Sequence, residues 1–326
     1  MFAGLGLARV NAVEPAEPVA NPALSDSEVL DELWGMWEGR RGEIVTADVQ
    51  YRQFFQRPQD STWSAAAVRQ AVESLPAVPT LEVIATLAQR WAAPAVEKYP
   101  DGIPCRLQML GDELRYESGA FISLRANALD LIYDGDNEQV GVYARGRSGR
   151  AFTTLTGLRR VPAPDIMPDQ FRVTSHTPET VTLAAVAGDV RCTVDRATGL
   201  LTHLENVDPT SGALVSESWE LDVVHFDDGI PFPSVRIDVE YAAGHLRQYT
   251  MRCLEHAVFN RDLSPASFQL ACRQKTLVLD HRGSELFSYR LPTEVADVAA
   301  SLHPVPRPSV AMTGKTPAAA NGEWYR

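Results

Sequence analysis

Residues 213–259 read ALVSESWELDVVHFDDGIPFPSVRIDVEYAAGHLRQYTMRCLEHAVF, and three extended segments follow one another along them. In the first, Glu217, Trp219, Leu221 and Val223 alternate with Ser216, Ser218, Glu220 and Asp222. In the second, Val235, Ile237, Val239 and Tyr241 alternate with Ser234, Arg236, Asp238 and Glu240. A period of two marks a strand with one dry and one wet face. Asp227-Asp228-Gly229 and Ala243-Gly244-His245 interrupt the runs with turn residues, so the strands reverse as antiparallel hairpins. The stretch predicts a broad sheet, apolar on one face.

Working outward, the same period appears from Glu43 to Phe55 through Val45, Ala47, Val49 and Tyr51. A meander of segments of ordinary strand length follows in Cys105–Leu110, Glu113–Ser118, Ala128–Tyr133 and Glu138–Tyr143, resumes at Phe171, alternates again through Val190–Asp195 and turns into Leu200–Val207. Tight turns are expected at Gly111-Asp112, at Asp134-Gly135-Asp136-Asn137 and at Ala197-Thr198-Gly199. Phe268–Ala271, Thr276–Asp280 and Phe287–Leu291 are the last apolar runs. The Pro-rich connection Val161–Pro168 separates similar strands, so one continuous sheet is the simpler reading.

Helical spacing occurs in three places. Ser25 and Glu28 form a capping box ahead of Val29, Leu30, Leu33, Trp34 and Trp37, with Arg40, Arg41 and Gly42 at the end of the pattern. Ser64 opens a short helix with Val68, Ala71, Val72 and Leu75 on one face. Thr80 opens another with Leu81, Ile84, Leu87, Ala88 and Trp91, beyond Pro76 and Pro79. Helices this short are marginal alone and must dock on something apolar, for which the sheet face is the receiver.

The 326 residues carry a net charge of -12 with a pI near 5.1, which excludes the clustered basic surface that nucleic acid requires. The seven histidines show no HExxH, and Cys253 and His256, an odd and an even position, are expected to face opposite ways on a strand. They read as structural or surface residues. His225 with Asp227 and Asp228 reads as a polar turn, and Asp134, Asp136 and Glu138 as a hairpin turn without a calcium-loop pattern. Gly146-Arg147-Ser148-Gly149 lacks the lysine and spacing of a phosphate loop. Catalytic residues, metal ligands and cofactors are therefore assigned as none. Four scattered cysteines, Cys105, Cys192, Cys253 and Cys272, read as buried small hydrophobes, with disulfides an option only on export.

Residues 1–24 read as a signal-peptide remnant, with Val10-Asn11-Ala12 as its small-residue end, followed by a Pro/Ala/Glu-rich leader. Residues 303–326 read as a disordered tail, which leaves one domain over 25–302. No apolar run reaches the roughly 18 residues that span a bilayer.

Order and motifs resemble the LolA-like lipoprotein carriers. Cys105-Arg-Leu-Gln-Met-Leu-Gly-Asp-Glu-Leu-Arg-Tyr116 resembles the strand pair that follows the helices there, and Tyr133-Asp-Gly135 the next turn. Val194-Asp195-Arg-Ala-Thr-Gly199-Leu is similar to an Asp, Thr-Gly hairpin of the family, and Gly229-Ile230-Pro231-Phe-Pro233 to the entry of its long strands, closed by Phe259-Asn260 and Phe268. The resemblance covers residues 25–290 and implies an α+β, mainly β fold: a curved antiparallel sheet, an incomplete barrel of about eleven strands, with helices packed on its concave face. It also implies that the apolar concavity holds acyl chains. The chain departs from lipoprotein carriers in its length, its extra helical pair and its acidic balance.

The expected function is non-enzymatic binding or carriage of a hydrophobic lipid or acyl-chain ligand in the periplasm or outside the cell. The alternative is a structural or protein-interaction module whose groove is filled by its own helices. The expected lining is Trp219, Leu221, Val223, Val235, Ile237, Val239 and Tyr241 of the sheet with Val68, Leu75, Ile84 and Trp91 of the helices. Another envelope protein is the second partner class.

Overall fold

The computed structural model describes residues 25–58, 61–92, 99–148, 168–226 and 229–302. The expected leader 1–24, the tail 303–326, the Asp227-Asp228 pair, Gly149 and the Pro-rich connection as far as residue 167 lie outside them.

Helix α1 (Asp26–Arg41) begins at the predicted capping box: the Glu28 N–H donates to Ser25 Oγ, and the Ser25 N–H donates to the Glu28 carboxylate at 2.8 Å. Strand β1 (Thr46–Gln56) follows, then α2 (Ala65–Glu73), capped by Ser64, and α3 (Leu81–Ala92). A meander comes next: β2 (Ile103–Leu110), β3 (Glu113–Ser118), β4 (Phe121–Ala126), β5 (Leu129–Asp134) and β6 (Gln139–Ala144). A second meander runs through β7 (Phe171–His176), β8 (Thr180–Ala185), β9 (Val190–Asp195) and β10 (Leu201–Val207). It ends in the three long strands β11 (Leu214–His225), β12 (Pro231–Ala242) and β13 (His245–Phe259). Short β14 (Leu277–Asp280), β15 (Phe287–Arg290) and α4 (Val298–Ser301) complete the order.

All strands among the described residues join one open, curved sheet in the order β15-β14-β6-β5-β4-β3-β2-β1-β13-β12-β11-β10-β9-β8-β7. Its pairs are antiparallel except β14 with β6. The described residues thus contain a 15-stranded sheet, where the resemblance implied about eleven. Strand β4 is an element that the periodicity did not disclose. Phe268–Ala271 is not a strand, because Ser264 caps a 3-10 turn, Pro265–Phe268, whose proline fixes a helical φ at its start.

Register divides the sheet into two faces. Phe54, Met251, Ile237, Trp219 and His203 form one row across five strands. Helices α2 and α3 lie on this first face, where Val68, Ile84, Leu87 and Trp91 pack on Ile237, Val239, Tyr249 and Met251. Leu204, Cys192 and Leu183 form a row on the second face, and α1 packs there through Val29, Leu33, Trp34 and Trp37. The helices therefore divide between the two faces instead of sharing one. On β11, Glu217, Ser218, Trp219 and Glu220 are all buried, so the expected wet face is covered as well.

The first face carries a second cover. Phe268, Leu270, Leu291 and Val298 pack on Leu124, Leu131, Val140 and Val142 of β4 to β6. The second face holds a further cluster in which Val49, Tyr51 and Leu107 meet Phe232, Ala257 and Phe259. All four cysteines are buried and unpaired with one another. The Asp134 turn folds as expected, its carboxylate accepting from the backbone N–H of Asp136 and Asn137.

Docking of α1 depends on the hairpin between β9 and β10. Asp195 accepts from the Thr198 N–H and hydroxyl, and Gly199 adopts φ +67, so its carbonyl meets Trp37 Nε1 at 2.7 Å. Only glycine takes this conformation without strain. Gly199→Ala should lower stability by about 1 kcal/mol or more, read as a drop in the thermal midpoint; an unchanged midpoint would show that the hairpin has another conformation to use.

Candidate functional site

The interface between α2–α3 and the sheet brings together the residues that the sequence selected. Val68, Ile84, Trp91 and Ile237 are 0% exposed, and Val235, Val239, Tyr241 and Trp219 are also buried in the same cluster. Leu75 and Leu221 pack at its margin. Val223 pairs with Pro233 and stands outside it. Trp91 sits edge-on to Tyr249, with ring centroids 5.6 Å apart, and near Trp63 at 6.2 Å. Its Nε1 is buried and has no hydrogen-bond partner among the described residues. Such a donor forfeits its bonds to water without replacement.

The helices are tied down by polar contacts at three points. At the start of α2, the Ala65 N–H donates to the Gly244 carbonyl and the Leu246 N–H to the Trp63 carbonyl. At the far end of α3, the Tyr249 hydroxyl donates to the Ala88 carbonyl at 2.8 Å. Between them Arg69 of α2 reaches the sheet, its Nε donating to Glu217 at 2.9 Å and a terminal nitrogen to Glu205 at 2.8 Å.

Glu217 is the centre of this third tie. It belongs to the apolar parity of β11, its side chain is 0% exposed, and it lies directly opposite Glu205. His203 Nε2 is 3.2 Å from one carboxylate oxygen, and the Tyr241 hydroxyl donates to the other at 2.8 Å. The His203 ring stacks on Trp219, centroids 5.3 Å apart and planes within 20°. Burial pushes the Glu217 carboxyl up, but hydrogen bonds from His203, Tyr241 and Arg69 and the Arg69 charge outweigh it, and the net direction is down. Burial and the bond to Glu217 push the Tyr241 hydroxyl up.

Glu217 falls on the dry parity of its strand in the sequence, but no periodicity marks Arg69, His203 or Glu205 as its partners. A carboxylate amid apolar positions and a His-x-Glu spacing that shares a strand face were the available signals. The reading of Cys253 and His256 is corrected by a bulge in β13. Tyr51 pairs with Leu254 and Gln50 with His256, so one residue is skipped and both side chains fall on one face. Cys253 is buried, its thiol pushed up to about 12 by burial, whereas His256 is exposed.

Two openings lie away from the helix interface. A groove of ≈ 410 Å³ on the first face, beside the C-terminal cover, is lined by Arg106, Gln108, Arg115 and Glu117 and by Ser267, Gln269 and Leu270. A cavity of ≈ 20 Å³ on the second face is lined by Tyr51, Phe232, Arg236 and Arg252. No helix among the described residues is long and apolar enough to cross a membrane.

The structure is similar to a domain named for outer membrane lipoprotein sorting from Vibrio parahaemolyticus, at 12% identity and a TM-score of 0.43, over 75% of this chain and 97% of that one. It is also similar to a LolA superfamily protein from Nitrosomonas europaea, at 10% identity and a TM-score of 0.41, over 76% and 99%. No protein-family model and no curated protein matches the chain.

The Glu217 cluster should leave a mark on acid stability. A folded carboxyl held below its unfolded value contributes stability that is present above about pH 4.3 and is lost as pH falls through the folded value. Wild-type protein should therefore lose thermal stability on acidification below that range. Glu217→Gln should show a shallower slope there, and equal slopes would remove Glu217 as a source of the acid response.

Proposed function

We propose that the protein is a non-enzymatic binder or carrier of an apolar molecule, an acyl chain or a lipid, taken up between α2–α3 and the sheet. The observation that carries this reading is the interface itself. Apolar side chains of several strands face a two-helix cover, and inside it the Trp91 N–H lacks a partner among the described residues. An acyl chain that entered between the helices and the sheet would be buried against both apolar faces, at about 0.8 kcal/mol per CH2. Its carbonyl oxygen would give the indole N–H an acceptor.

A second reading has its own support. Val68, Ile84 and Trp91 are fully buried, which favours an interaction module whose groove its own helices fill. Location in the periplasm or outside the cell, and another envelope protein as donor or receiver of cargo, belong to the first reading and rest on the sequence alone.

The two readings separate in one experiment. Purified protein is extracted for long-chain lipids, titrated with palmitate, and compared with Ile84→Lys for binding of an apolar dye. A charge at position 84 costs several kcal/mol in place unless the helices move off. The carrier reading expects lipid or palmitate bound by the wild type and more dye bound by Ile84→Lys, with the β circular dichroism retained. Global unfolding of the variant without lipid in the wild type would support the module, and unchanged dye binding with no lipid in either protein would remove the carrier.

A further inference from the structure

We infer that His203, Glu205 and Glu217 form a site for a divalent cation of the zinc class, closed by Arg69 in this state and opened when Arg69 swings out. The backbone places all three ligands. His203 and Glu205 are two apart on β10 and share a face, and Glu217 lies opposite Glu205 on β11. One nitrogen and two carboxylate oxygens lie within 4.8 Å of one another. An imidazole with two carboxylates is a set that zinc accepts, leaving a fourth position for water.

Two features set this cluster apart from a chance grouping of acids. Its ligands are oriented from outside: Trp219 stacks on the His203 ring, and Tyr241 holds one Glu217 oxygen, which leaves the oxygen facing His203 and Glu205 to coordinate. The charges also call for a cation. Two carboxylates directly opposite across a strand pair repel, and one of them is fully buried. Arg69 supplies one positive charge between them; a divalent ion would supply two and balance the pair. Among the described residues Arg191, 4.0 Å from Glu205 and 65% exposed, also faces the cluster.

Arg69 and the metal would use the same oxygens, so each excludes the other. The Arg69 side chain is 41% exposed and can turn into solvent without displacement of α2. Because Arg69 is one of the three ties of the helix pair, metal binding would loosen α2, and by reciprocity a loosened α2 would bind metal more tightly. This site does not depend on what the helices cover, so the inference stands apart from the carrier reading.

The test is titration calorimetry of the full chain with zinc chloride at neutral pH. Arg69→Ala should bind one zinc per chain on the order of tenfold more tightly than the wild type. That binding should be lost in Arg69→Ala/His203→Asn and in Arg69→Ala/Glu205→Gln. Absence of zinc binding by Arg69→Ala, or binding that survives both second substitutions, would overturn the site. If Arg69→Ala fails to fold, zinc should still raise the thermal midpoint of the wild type more than that of His203→Asn, and equal shifts would overturn it in the same way.

Discussion

The pairing of β1 with β13 holds the two halves of the molecule together. Strand β1 leads into the meander β2 to β6, and β7 to β13 form the other wing, so in the strand order the wings meet only where β1 lies between β2 and β13. The ladder runs from Ala47 opposite Phe259 to Gln56 opposite Tyr249, which joins segments about two hundred residues apart in the chain. Closing so long a loop costs entropy before any contact repays it, so this step is expected late in folding. The helices α2 and α3 leave directly from β1 and fold back over β13, so the candidate site exists only once this ladder has formed.

The bulge in that ladder decides which cores the long strand serves. Tyr249, Met251 and Cys253 face α3 on the first face, and beyond the skipped residue Ala257 and Phe259, of the same odd parity, face Val49 on the second. One extra residue thus lets a single run of odd positions fill two clusters on opposite sides of the sheet. A strict period of two could not have done so.

What was legible follows from how local each signal is. Capping residues Ser25, Glu28 and Ser64 act within one turn, and their helices start where the sequence placed them. The alternation of β12 survives because its polar residues remain partly accessible along most of the strand. The face taken by each helix was not legible, since spacing shows which residues share a side but not which side of a distant strand receives them. Strand β4 was legible in principle, since Ile122, Leu124 and Ala126 alternate with Ser123 and Arg125, but the run is short and lies between two stretches already assigned to strands. The Glu217 cluster was hidden because its parts come from residues 69, 203, 205, 217 and 241, and only the fold brings them within hydrogen-bonding distance.

The first face also explains why α2 and α3 can be a unit of their own. Between their apolar patch and the C-terminal cover, the same face carries Asp48 with Arg106, and Arg115 with Glu117. Arg115 further donates to the Ser267 and Gln269 carbonyls, which fixes the edge of the C-terminal cover to β3. Paired charges along a wet groove keep the two apolar clusters from merging into one core, because filling the groove with side chains would strip these ions of water. The helix pair can then separate from the sheet at the expense of its own contacts alone, while the cover over β4 to β6 stays in place. Movement at the interface of α2 and α3 is therefore compatible with a sheet that remains folded, and that is the condition any function located beneath them requires.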